Sequence, residues 1–366
     1  MKEKLCFFLI SLLFYTTGAP AQNVKSQKTD NEFAKLLQKA TAGDVSAQST
    51  VAYRYSVGDG VEKDAEKAFY WFNKAATQEI QADEPDYYPT IRAKAMTYLG
   101  VCYQYGEGVE PDTEMAFEWY RKAAESGNAS AQYMMGEYYY KGTDNIVEPD
   151  VQTAFEWYKK AAENGDALAQ NMMGEFYHEG TDGVVEPDAQ TAFEWFRKAA
   201  ENGNVFSQYW LGCSYEVGDG VSVDYKKAVY WYKKAIQNPN ALNEETALPM
   251  YSLALCYEKG RGVERNEQKA LEYLGKAAES GSDRAQLYLG VSYYNGKFGL
   301  PKDYQQAVKW VRKAVEQGDA DAQFVLGSFY YLGEGVKKNR KEAKRLLQLS
   351  AAQGNEDAKE YLMKFF

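Results

Sequence analysis

The feature that most limits what this chain can become is that it repeats itself. Residues 127–164 read GNASAQYMMGEYYYKGTDNIVEPDVQTAFEWYKKAAEN and residues 165–202 read GDALAQNMMGEFYHEGTDGVVEPDAQTAFEWFRKAAEN, agreeing at 27 of 38 positions. The same frame returns from Gly203, Gly281 and Gly318, with two copies before Gly127 and one between Gly203 and Gly281, so there are eight repeats. A period of this length belongs to stacked arrays, in which neighbours bury the face that one repeat cannot bury alone. The repeats lie near 43–92, 93–126, 127–164, 165–202, 203–248, 249–280, 281–317 and 318–353. Half-repeats at 32–42 and 355–366 are expected to cap the open ends.

Each repeat reads as two helices. In the first, Ala131, Met135 and Tyr139 recur four apart and make one apolar stripe, and its Tyr column holds in all eight repeats, from Tyr55 to Tyr330. Gly136 stands inside that helix, and its column holds only Gly or Ala, which predicts a neighbouring helix in close contact. Gly142 or its equivalent ends the helix. The second helix opens on Asp150 or its equivalents, with Asn at Asn266 and Asn339, which suits an N-cap. Ala154, Trp157 and Ala161 then share a face. Six of the seven Trp fill that Trp column, and the spacing predicts that they pack into the core against the alanines. Extra residues follow the second helix at 77–92 and 237–249, as extended turns or as lips of a binding surface.

Composition narrows the chemistry. There is one His in 366 residues, which removes most imidazole triads and His-rich metal sites. Lys+Arg is 42 against Asp+Glu 52, a net charge of -10 with no basic run, which argues against a nucleic-acid partner. The Gly-x-Gly-Val loops follow helices and lack a Lys-Ser/Thr ending, so they read as helix–helix turns and not as phosphate cradles. Cys102, Cys213 and Cys256 stand singly in apolar stretches and read as packing thiols. No cofactor or metal site is expected. At the amino end, Lys2 and Lys4 precede an apolar stretch from Leu5 to Tyr15 and then Ala19-Pro20-Ala21, the pattern of an export signal over 1–21. Residues 22–31 read as a flexible tether, and no later stretch is apolar enough to span a membrane. The expected location is periplasmic or secreted.

The residues Ala95-Leu99-Gly100-Tyr103-Gly106-Gly108-Val109-Asp112, followed by Ala116-Trp119-Tyr120-Lys122-Ala123-Ala124-Gly127, resemble the Sel1-like repeat family, a branch of the tetratricopeptide-like solenoids. The resemblance runs from about 33 to 366. It implies an all-α, right-handed α/α superhelix of about eight helix–turn–helix repeats that serves as an adaptor, with no catalysis required. A cysteine-rich exported branch, to which penicillin binding has been attributed, has paired cysteines in its repeats. This chain lacks those pairs, Ser-x-x-Lys and Lys-Thr-Gly, so that activity is not carried over.

First helices of a solenoid commonly line its concave side. The positions not used by the core stripe are three before, one after and four after the Gly column, and they share a face. They supply the expected partner-binding residues: Tyr133, Glu137, Tyr140, Glu175, His178, Tyr209, Glu216, Tyr251, Glu258, Tyr294, Phe324 and Tyr331. The two near-identical repeats differ at Tyr133/Asn171 and Tyr140/His178 while their core columns agree, as a fixed frame with an adjustable face would show. A Tyr-rich groove with acidic spots suits a protein or peptide partner. A glycan is the alternative, with a cell-wall-associated and even hydrolytic protein behind it.

Overall fold

The computed structural model describes residues 27–366 except 80–84 and 144, with side chains from Asn31 onward. The expected export signal at 1–21 lies outside the described residues. The chain is an all-α array of consecutive helix pairs. Among the described residues there are 18 α-helices, and the only β features are the isolated bridges Thr143–Val147 and Thr181–Val185.

The described residues divide into two compact halves, one up to Pro187 and the other from Asp188 to Phe366. The first holds α1 (Gln27–Thr41), α2 (Val45–Val57), α3 (Ala65–Thr77), α4 (Tyr88–Tyr105), α5 (Thr113–Glu125), α6 (Ala129–Lys141), α7 (Val151–Glu163) and α8 (Ala167–Glu179), each packed on the next. The second holds α9 (Ala189–Glu201), α10 (Val205–Val217), α11 (Tyr225–Ile236), α12 (Ala247–Lys259), α13 (Glu267–Glu279), α14 (Asp283–Asn295), α15 (Tyr304–Glu316), α16 (Ala320–Leu332), α17 (Arg340–Ala352) and α18 (Glu356–Phe365), again each on the next. Helix α1 begins at Gln27, inside the stretch expected to be a tether.

Local chemistry sets these boundaries. Asp64, Asp112, Asp150, Asp188, Asp224, Asn266, Asp303 and Asn339 all accept a backbone N–H from three residues on, so every second helix carries its cap. First helices are capped likewise by Asp44, Asn128, Asp166, Asn204, Ser282 and Asp319. The two that begin within the extra residues, α4 and α12, start without a side-chain cap.

The Gly column does what its small residues imply. A Cβ on Gly136 would sit 2.5 Å from the ring of Tyr158, and one on Gly100 would sit 2.6 Å from Tyr120. The second helix therefore crosses the first at this glycine, with an aromatic ring laid over Gly100, Gly136 and Gly212 and an aliphatic side chain, Val311 or Leu347, over Gly290 and Gly327. The second glycine of the Gly-x-Gly loop has its own role. A Cβ on Gly108 would overlap the carbonyl of Ala65, so this loop seats on the start of the preceding repeat's second helix.

The Trp column differs from expectation. Trp71, Trp119, Trp157, Trp195, Trp231 and Trp310 are only half-buried, and the fully buried ring is the next residue in Phe72, Tyr120, Tyr158, Phe196 and Tyr232. Two adjacent residues on a helix are about 100° apart, so both belong to a broad apolar stripe, and only the one nearer the partner axis reaches full burial. Five of these Trp are covered instead by the Lys three residues on, with Nζ 4.0–4.7 Å from the ring centroid.

A buried Gln at the start of the first helix joins repeats. Gln48, Gln132, Gln170, Gln208 and Gln286 each donate Nε2 to the carbonyl of a residue eight earlier, near the end of the preceding helix, at 3.0–3.1 Å. Asn164 Nδ2 then donates to Gln132 Oε1 at 2.9 Å, tying the next turn to the same amide. In the extra residues, Asn238 repeats this with Gln208 Oε1 at 3.1 Å and also donates to the Gly203 carbonyl. Cys102, Cys213 and Cys256 are in no disulfide, and burial pushes Cys256 up to about 12.

Candidate functional site

In the first half, Tyr133, Glu137 and Tyr140 project from α6, and Glu175 and His178 from α8. The buried ring of Tyr158 on α7 organises the three on α6. Its hydroxyl donates to Glu137 Oε1 at 2.7 Å. Tyr133 lies 5.7 Å from it ring to ring, and Tyr140 lies 6.4 Å from it and 6.1 Å from Phe176. Lys141 pairs with the other oxygen of Glu137. Asn171 Nδ2 donates to Glu175 Oε1 at 2.7 Å. Burial raises the Glu175 carboxyl above its ordinary range against that hydrogen bond, with Glu179 and Glu137 adding to the rise. Burial, with Glu137 and Asp166 adding, raises the Tyr133 phenol far above its ordinary range. Tyr140 is the open member, 45% exposed, and His178 is half-buried.

In the second half Tyr hydroxyls again hold carboxylates, from other positions of the repeat. Tyr232 donates to Glu216 Oε2 at 2.8 Å, Arg261 donates to Glu216 Oε1 at 3.3 Å, and Tyr209 packs 5.9 Å from Tyr232. Glu258 accepts from Tyr288 at 2.8 Å and pairs with Lys297, and Tyr251 packs 6.3 Å from Tyr288. Burial works to raise the Glu258 carboxyl, but the hydrogen bonds from Lys297 and Tyr288 win and hold it below the ordinary range. The acidic spots are thus largely engaged: Glu137, Glu216 and Glu258 keep only 16–20% of their side-chain surface.

The remaining expected residues sit elsewhere. Tyr294 donates to Glu334 Oε2 at 2.8 Å and stacks on Phe329. Phe324 and Tyr331 lie under the terminal helix α18: Phe324 is 6.0 Å from Tyr361, and Tyr331 is 5.2–5.6 Å from Tyr361, Phe365 and Phe366. The end cap therefore covers the face that the inner repeats leave open.

One open groove of about 480 Å³ lies on this face of the second half, between α12, α14 and α16. Tyr251, Leu287, Tyr288, Val291 and Val325 give it an apolar lining, and Arg284, Asp319 and Asp321 its charges. Of the twelve expected residues only Tyr251 lines it. Arg284, Asp319 and Asp321 stand in the turns that start first helices, so the search for a face along helix centres missed them. The signal was present in the sequence, since Asp283-Arg284 and Asp319-Ala320-Asp321 put charges where the turn at 127–130 has none.

The Sel1 repeat model matches residues 45–79, 93–128, 129–166, 167–204, 205–240, 250–282, 283–319 and 320–355. The chain belongs to the Sel1 repeat family. Among solved structures, it is similar to a protective antigen present in uropathogenic Escherichia coli strains that displays this fold, at 35% identity over 90% of this chain and 66% of that one, with a TM-score of 0.69. It is also similar to a Sel1 repeat protein from Oxalobacter formigenes, at 26% identity over 98% of this chain and 100% of that one, with a TM-score of 0.60. Among curated proteins, 52 residues are 46% identical to Protein SHC1 of Saccharomyces cerevisiae, which is 14% of this chain and 10% of that protein. Sel1 repeats serve in general as protein-interaction scaffolds. Among the described residues, no helix is long and apolar enough to cross a membrane, and no group of three or more His, Cys, Asp or Glu could hold a metal ion.

Proposed function

We propose that this Sel1 repeat chain is an exported, non-catalytic scaffold that holds a protein or peptide partner on the Tyr-rich face of its first helices. The observation that carries the reading is the split within each repeat. The cap of the second helix is always Asp or Asn, the glycine column holds only Gly or Ala and the buried position after the Trp column is always apolar, while the face bearing Tyr133, Tyr140, Glu175, His178, Tyr209 and Tyr251 changes from repeat to repeat and keeps surface open. Rigid aromatic rings on a frame of this kind provide contact area at low entropic cost. The net charge of -10 favours a protein partner over nucleic acid. Export is supported by the sequence of residues 1–21, and the similarity to a protein described as a protective antigen agrees with it.

Two experiments test this. Residues 22–366 are used as bait in envelope and secreted extracts beside a Tyr140→Ala/Tyr251→Ala bait of unchanged circular dichroism. Partners kept by the first and lost by the second are expected. Identical capture by both would move the site off this face, and capture of polysaccharide alone would favour the glycan reading. Separately, residues 1–31 fused to a phosphatase that is active only outside the cytoplasm should give activity, and an inactive fusion would end the export proposal.

A further inference from the structure

The groove between α12, α14 and α16 has a definite chemical character. Leu287 and Val291 on α14, Val325 on α16 and Tyr251 on α12 form an apolar floor that no side chain fills. Its volume, about 480 Å³, falls in the range of ligand sites, about 300–1,000 Å³. The acids gather at the head of α16. Asp319 caps that helix through the N–H of Ala322 at 2.6 Å, and Asp321 accepts from Asn355 Nδ2 at 2.7 Å. Neither forms an ion pair among the described residues. Burial raises the Asp319 carboxyl, and Asp283 and Asp321 add to the rise, so negative charge collects here and outnumbers the one guanidinium of the lining. Arg284 is exposed and sits near Tyr251, where its field lowers the phenol's rise. It also forms no ion pair among the described residues.

We infer that this groove seats an extended peptide in which a bulky apolar side chain stands beside a lysine or arginine. The apolar side chain lies over Leu287, Val291 and Val325, the cation meets Asp319 and Asp321, and Arg284 donates to main-chain carbonyls. Charge complementarity makes the choice, because three carboxylates near the head of α16 outnumber the single guanidinium and the whole chain carries -10. The inference rests on the scaffold reading above and names the partner's chemistry at one place on that face.

The probe is a displayed library of random heptapeptides, panned on residues 22–366. Enriched peptides are expected to carry Lys or Arg within two positions of Leu, Ile or Phe. A selected peptide should bind at least about tenfold more weakly to Asp319→Asn/Asp321→Asn, and more weakly still in high salt. Both changes keep the fold. Asn caps the equivalent helices at Asn128 and Asn204, and Asn at 321 keeps an acceptor for Asn355. Leu287→Glu should abolish binding, and Tyr70→Ala, at an exposed ring on α3, should leave it unchanged. No enrichment, enrichment of acidic peptides, or equal binding by the double Asn variant would each overturn the inference. A partner lost with Tyr140→Ala/Tyr251→Ala but bound normally by the double Asn and Leu287→Glu variants would remove this groove and leave the scaffold reading standing.

Discussion

Gly136 and Gly275 both stand inside helices, yet alanine is expected to act in opposite directions at the two. At Gly136 the added Cβ meets Tyr158, whose ring is fully buried and whose hydroxyl is held by Glu137, so the ring has nowhere to go. The overlap costs roughly 1–3 kcal/mol, more than the helix propensity gained, so Gly136→Ala should lower the unfolding midpoint. At Gly275 nothing lies within 4 Å, and alanine should gain about 1 kcal/mol. Thermal unfolding of the two variants decides it, and a shift of the same sign in both would contradict the crossing described. Asp166 adds a pH effect at the same scale. It caps α8 through Leu168 and Ala169, accepts from Ser130, and is pushed by burial up to about 6 from an ordinary 3.8. A carboxyl raised in the folded state binds more protons there than in the unfolded chain, so its contribution to stability falls as pH rises from about 4 to about 6. Asp166→Asn keeps a cap of the kind Asn128 and Asn204 provide and should be least different from the parent below pH 4 and most stabilised relative to it above pH 6. Unfolding midpoints measured across that window check the sign.

At the scale of the element, the second helix was legible in its boundaries and not in its depth. The Asp or Asn cap and the Gly stop act within a few residues, so spacing alone places them. Periodicity gives the face of a helix, and the ring that reaches the axis of the partner helix is set by the crossing. For that reason Trp119 is half-buried under Lys122 while Tyr120 is 0% exposed. Tyr120→Ala should therefore cost roughly 3–5 kcal/mol, as a core aromatic does, and Trp119→Ala clearly less. Equal losses in urea titrations would restore the Trp column to the core. The Gln joints were equally hidden, because a Gln beside an Ala has no distinctive spacing until the preceding helix end is placed next to it. Gln132→Leu leaves the Ala124 carbonyl and the Asn164 amide without their bonds and should cost roughly 1–3 kcal/mol. The face itself was legible as columns, but its open groove needed Arg284, Asp319 and Asp321, whose turns come together only through stacking of α12, α14 and α16.

For the whole molecule, a Sel1 array makes a prediction that a single-core domain would not. In a stack each repeat touches only its neighbours, so stability is close to a sum of repeat and interface contributions. The near-identical repeats at 127–164 and 165–202 end alike, in Glu163-Asn164 before Gly165 and Glu201-Asn202 before Gly203. Excising residues 165–202 joins Asn164 to Gly203 and recreates a junction of the native kind, with Asn164 in the position that Asn202 holds before α10 and its bond to Gln132 kept. The shortened chain should fold with unchanged helicity per residue and lose the stability of one repeat and one interface. It would lack Glu175 and His178, so a partner that depends on that patch should be lost, while peptides selected on the Tyr251–Leu287–Val325 groove should bind as before. Circular dichroism, urea unfolding and the same peptide titration read all three. A chain that fails to fold after this in-frame excision would show that the repeats depend on more than their neighbours, and the additive account of the array would then be wrong.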